Sequence, residues 1–94
     1  MRKLENEAID NLFEAILSLK NVDECYCFFG DLCTEKELID MSQRLEVASL
    51  LRQKINYVEI SKKTGASTTT VSRVNKCLTY GNDGYSLAFE RLGK

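Results

Sequence analysis

Residues 57–78 read YVEISKKTGASTTTVSRVNKCL, and this stretch decides the fold. Asn56 stands before it as a helix N-cap, with the Glu59 carboxylate at the third helical position, so the pattern predicts a short helix from Tyr57 to Thr64. Gly65-Ala66-Ser67 turns the chain, with Gly65 supplying a positive φ. Ser67 then caps a further helix from Thr68 to about Leu78, whose buried side is Val71, Val74 and Leu78. Ile60 and Thr64 face this second helix from the first, Ser61 is small enough for close approach, and Ala66 closes the small core. A first helix of about eight residues, a glycine-bearing turn of about three and an exposed second helix make the spacing of a helix-turn-helix.

The polar residues of the stretch fit that geometry. Thr68, Thr69, Thr70, Ser72 and Arg73 occupy the first half of the second helix, the part that meets base edges when such a helix enters a major groove. Three consecutive threonines are poor helix formers because their χ1 is restricted, so a contact role compensates a local cost. Their hydroxyls can donate or accept, their methyls can touch thymine, and arginine can grip guanine with two hydrogen bonds. Arg52, Lys54, Lys62, Lys63 and Lys76 surround the helix and suit phosphates, which position a protein without reading sequence. A helix-turn-helix can equally dock a protein partner, and that reading predicts no affinity for DNA.

Working outward, Thr34-Glu35-Lys36-Glu37 has the form of a capping box. Behind it Leu38, Met41, Leu45, Ala48, Leu51 or Arg52, and Ile55 recur every three to four residues, predicting a central helix of about twenty residues within 34–55. Upstream, Ile9, Leu12, Phe13, Ile16 and Leu17 mark one face of an amphipathic helix from about Leu4 to Leu19. Asp23 caps a short helix through Cys25–Phe29 that Gly30 ends. Downstream, residues 80–84 form a turn, and Tyr85 to Leu92 a last helix offering Leu87, Ala88 or Phe89, and Leu92 for packing. The expectation is an all-α fold of six helices in one domain. Residues 1–31 supply dimerisation helices, 34–55 the long central helix, 57–78 the helix-turn-helix and 84–94 the C-terminal helix.

The chain has 94 residues, no histidine, no proline and no tryptophan. The length allows one domain. Without histidine, a single chain has neither Ser-His-Asp nor Cys-His catalysis, nor any histidine metal site. No carboxylate pair or phosphate-cradling glycine loop stands at usable spacing, so an enzyme is not expected. No apolar run nears the ~18–20 residues that span a bilayer, and no signal-peptide pattern follows Met1, so a soluble cytoplasmic protein without membrane contact is expected. The net charge of −1 hides a segregation: residues 1–40 carry four basic and ten acidic side chains, residues 41–80 seven and two. That arrangement puts a basic face on an acidic body. Cys25, Cys27, Cys33 and Cys77 lack knuckle spacing for zinc and read as small core hydrophobes, not as metal ligands.

With these motifs in hand, the sequence resembles the Trp repressor superfamily, and specifically its small Trp-repressor-related bacterial members. The similarity covers roughly Leu32 to Leu78. It rests on Leu32-Cys33-Thr34 opening a long helix with an internal arginine, Leu50-Leu51-Arg52 near that helix's end, Gly65-Ala66-Ser67 at the turn and Thr70-Val71-Ser72-Arg73 in the reading helix. The resemblance implies an intertwined homodimer with exchanged N-terminal helices, its two reading helices in successive major grooves of a palindromic operator. It assigns base contacts to Thr68, Thr69, Thr70 and Ser72. It also implies a corepressor pocket on Thr34, Arg44 and Arg73, which carries over poorly. Val74 stands where the family leaves room for the indole with glycine, and Cys77 replaces a helpful hydroxyl. The spacing from Arg44 to Leu50-Leu51-Arg52 is one residue short, a slip of ~100° around a helix.

The expectation is therefore a homodimeric, sequence-specific regulator of transcription, a repressor by resemblance, that binds double-stranded DNA without a cofactor and without tryptophan. Its rivals are the protein-docking module and a tryptophan-dependent sensor.

Overall fold

A computed structural model describes residues 6–94. Among them lie six helices and no strand: α1 (Glu7–Leu17), α2 (Val22–Leu32), α3 (Glu35–Arg52), α4 (Tyr57–Thr64), α5 (Thr68–Tyr80) and α6 (Gly84–Leu92). They fall into two compact units divided within α3, one ending at Leu38 and the other spanning Ile39–Lys94. The expected start of α1 at Leu4 lies outside the described residues.

In the first unit, Asn6 caps α1 by accepting the Ile9 amide at 2.9 Å. Asn21, not Asp23, caps α2, accepting the Glu24 amide at 2.9 Å, and α2 begins at Val22. Gly30 does not end that helix, which continues to Leu32. A glycine inside a helix costs about 1 kcal/mol relative to alanine but does not by itself stop one, and here the backbone stays helical through Gly30. The Thr34–Glu37 capping box forms as read. Glu37 Oε1 accepts the Thr34 amide at 2.8 Å, and Thr34 Oγ1 accepts the Glu37 amide at 3.1 Å. Hydrogen bonds to the Glu37 carboxylate, from the Thr34 amide foremost and then from the Thr34 hydroxyl, hold it below its usual pKa. Phe28 and Phe29 meet edge to face, 5.4 Å apart. Yet neither α1 nor α2 buries any residue. Leu17 is 82% exposed and Tyr26 70%.

That exposure corrects the reading of the cysteines as core. Cys27 and Cys77 are exposed, and Cys25 and Cys33 are half-buried. Cysteine goes inside where there is an inside, which α2 does not offer, while Cys77 stands on the outward side of α5.

The second unit holds the core: Val47, Ala48, Ile60, Ala66, Val71, Val74 and Phe89, with Leu50, Leu51, Ile55, Leu78 and Tyr85 packed around it. Of the expected α3 stripe, Ala48 is in this core, but Met41 and Leu45 are exposed, and Val47 takes a core place instead. In α6 Phe89 is buried while Leu87 and Leu92 stay exposed.

Helix α3 ends at Arg52, three residues before Ile55. The Lys54 amide bonds the Leu51 carbonyl at 3.0 Å and the Ile55 amide bonds that of Leu50 at 3.3 Å, the two bonds of a Schellman stop. Ile55 then packs on the core as the hydrophobic residue after the stop, which is why the apolar rhythm runs past the helix. The stop needs a left-handed residue, and Lys54 takes it at φ 66°. Lys54→Gly should relieve that strain and stabilise the fold by about 0.5–1 kcal/mol. A far-UV thermal melt should then show a midpoint several degrees higher, on the order of 4 °C. A lower midpoint would mean that the Lys54 stem contributes packing worth more than the strain.

Candidate nucleic-acid interface

Helices α4 and α5 are the pair that packs most closely, and short-range hydrogen bonds define the turn between them. Asn56 accepts the Glu59 amide at 2.9 Å, opening α4. Gly65 closes it at φ 77°, donating its amide to the Ser61 carbonyl at 2.9 Å. Thr64 Oγ1 donates to the Ile60 carbonyl at 2.8 Å and accepts the Ala66 amide at 3.1 Å. The Ser61 hydroxyl donates to the Ala66 carbonyl. Ser67 accepts the Thr70 amide at 3.1 Å and starts α5. The small residues are thus fixed by what they bond, and Ile60, Ala66, Val71 and Val74 fill the space between.

With Val71, Val74 and Leu78 packed in or on the core, the polar residues of α5 take the other sides of the helix. Thr68, Thr69, Arg73 and Lys76 are exposed, Thr70 and Ser72 half-buried. Thr69, Ser72, Arg73 and Lys76 share one face at helical spacing. The Thr68 and Thr69 hydroxyls have no hydrogen-bond partner among the described residues. Thr70 differs, because its Oγ1 accepts a hydrogen bond from the Ser67 hydroxyl at 3.1 Å. From Ile60 to Asn82 the chain contains no acidic residue, while Lys62, Lys63, Arg73 and Lys76 lie in that span. Among the described residues none of these four cations, nor Lys54, is held in an ion pair. The first turn of α5 carries no acid to offset the positive end of the helix.

Arg52 is the basic residue already occupied. Its guanidinium lies 4.8 Å from the centroid of the Phe89 ring and donates to the Lys94 carbonyl at 3.5 Å, so it anchors α6. Of the pocket residues, Thr34 belongs to the first unit and spends its hydroxyl on the capping box. Arg44 and Arg73 are exposed side chains of the second. Val74 is only 2% exposed, its side chain filling the core directly after Arg73. An open depression lined by Cys77, Gly81, Asn82, Gly84 and Tyr85 lies at the far end of α5 from the threonines. No group of three or more acidic or cysteine side chains able to hold a metal occurs among the described residues. No described helix is long and apolar enough to cross a membrane.

Sequence reasoning missed Gln43. Its Nε2 donates to the Thr64 carbonyl at 3.2 Å, from α3 onto the turn. Nothing in a single sequence pairs positions 43 and 64.

Residues 7–93 match the family model described as Trp repressor protein. The uncharacterized protein YerC of Bacillus subtilis (strain 168) is 53% identical over 90 residues, covering 96% of this chain and 86% of its own. The crystal structure of a TrpR like protein from Eubacterium eligens ATCC 27750 superposes with a TM-score of 0.95 at 57% identity, covering 99% of this chain and 96% of that one. A solved chain from Staphylococcus aureus gives a TM-score of 0.93 at 48% identity, covering 98% and 92%.

Proposed function

The chain belongs to the Trp repressor family, and from that premise we propose that it is a homodimeric transcription regulator that reads a two-fold-symmetric DNA site with α5 and needs no tryptophan. The observation that carries the reading is the exposed face of α5: hydroxyls without partners at its N-terminus, then Arg73 and Lys76, in a stretch free of acids. Hydrogen-bonding groups left unsatisfied on a rigid helix are what base edges require. Thr68, Thr69, Ser72 and Arg73 take the bases. Thr70, tied to Ser67, shapes the start of the helix and offers its methyl. Lys54, Lys62, Lys63 and Lys76 take phosphates, with Arg52 the least available of the five basic candidates.

Apolar surface that a single chain leaves wet supports the dimer. Phe13, Leu17, Val22, Tyr26 and Leu32 of the first unit are at least half exposed, as is Ile39 of the second. Burying such side chains between two copies contributes roughly 25 cal/mol per Å², and two-fold pairing sets the reading helices about one DNA turn apart. Val74 supports the absence of tryptophan, because a core side chain stands where the corepressor's ring would need room.

Selection from random duplexes at ~100–150 mM salt, with and without tryptophan, tests the reading. Enrichment of a palindrome without ligand is expected. About eight phosphate contacts per dimer should give a slope near −7 for log affinity against log salt. Sedimentation should show a dimer at micromolar concentration. A monomer would overturn the symmetric reading, enrichment only with tryptophan would restore the corepressor, and no enrichment would favour protein docking.

A further inference from the structure

We propose that Gln43 is a positioning residue that sets the angle between α3 and the reading helix, and through it the half-site spacing that the dimer accepts; the spacing role rests on the DNA-reading dimer described above. The bonds within the turn are local. Those of Thr64 and Ser61 fix its internal shape but reach no farther than Ala66. The apolar contacts between α3 and α4–α5, through Val47, Ala48 and Ile60, hold the helices together but prefer no direction. Gln43 adds direction. Its amide spans 21 residues of sequence to reach the Thr64 carbonyl at 3.2 Å, one of the last four carbonyls of α4, which have no partner inside their own helix. The side chain is half-buried over the turn, and a Cβ at Gly65 would lie 3.9 Å from its Nε2. Met41 and Leu45, two residues to either side, are exposed apolar side chains that a second copy would cover. The helix that faces the partner subunit is thus the helix that holds the turn.

Gln43→Met keeps length and shape and removes the donor. Two measurements on the full-length dimer read the result. By hydrogen exchange followed by NMR, the Gly65 and Ala66 amides should exchange about 3–10-fold faster in the variant, the scale of one hydrogen bond, while the thermal midpoint holds within a few degrees. On a series of duplexes whose half-sites are moved by one base pair in or out, the wild type should prefer one spacing sharply. The variant should lose about 3–10-fold on the best duplex and approach equal affinity across the series. Unchanged exchange at Gly65 and Ala66 overturns the tie whatever the DNA result. Faster exchange with an unchanged spacing profile overturns the spacing role. A wild type that binds no duplex overturns the DNA reading and the spacing role with it, and the exchange measurement then separates that failure from a failure of the tie.

Discussion

Replacing Thr69 and Arg73 together by alanine is expected to lower affinity for the selected duplex by roughly 10²–10³-fold while leaving the fold intact. A bidentate arginine–guanine contact discriminates by about 1–3 kcal/mol, and a symmetric dimer makes each contact twice. Neither side chain holds anything within the chain, since both are exposed and without a hydrogen bond or ion pair among the described residues. Alanine is the better helix former at both positions, so the thermal midpoint should stay or rise slightly. The residual binding should be indifferent to sequence, because Lys54, Lys62, Lys63 and Lys76 remain for phosphates. Titration of the selected and a scrambled duplex at one salt concentration checks this. Equal loss on both would reassign Arg73 to the phosphates. No loss on either would remove α5 from the interface.

The parts legible in the sequence are those written within four residues of one another. Asn56, Gly65 and Ser67 each bond or turn the chain next to themselves, so α4, the turn and the start of α5 could be placed from spacing alone. The Thr34–Glu37 box is legible for the same reason. Errors begin where a local signal has two physical outcomes. Gly30 could end a helix or sit inside one, and only the continuing backbone decides. Ile55 obeys the helical rhythm although a left-handed Lys54 stands before it, because the hydrophobic residue after a Schellman stop occupies nearly the place of a further turn. The cysteines failed for a different reason. Residue type reports the preference for an interior, which α2 lacks within one chain, while Cys77 takes the outward side of α5. Gln43 was out of reach because its partner is a backbone carbonyl, which leaves no mark on residue type.

Ile60→Ala should be the most destabilising of the single substitutions considered, at about 2–5 kcal/mol. Ile60 is fully buried and is the one buried residue of α4, so the whole first helix of the helix-turn-helix is held in the core by that side chain. Removing three carbons there leaves a cavity bounded by Val47, Ala48, Val71 and Val74, which stand on two other helices and cannot all move in to fill it. The surrounding core is small, with seven buried residues in the described chain, so little other packing offsets the loss. The midpoint should fall on the order of 10 °C or more. Val58→Ala, two positions away on an exposed side chain of the same helix, should stay within about 0.5 kcal/mol of the wild type. DNA affinity gives the sharper contrast. Ile60 touches no base, so its variant should bind the selected duplex nearly normally well below its midpoint and lose binding as it melts. The Thr69 and Arg73 variant should be deficient at every temperature. An Ile60→Ala protein that melts like the wild type would mean that α4 is secured by the Gln43 and Ser61 hydrogen bonds and not by the core.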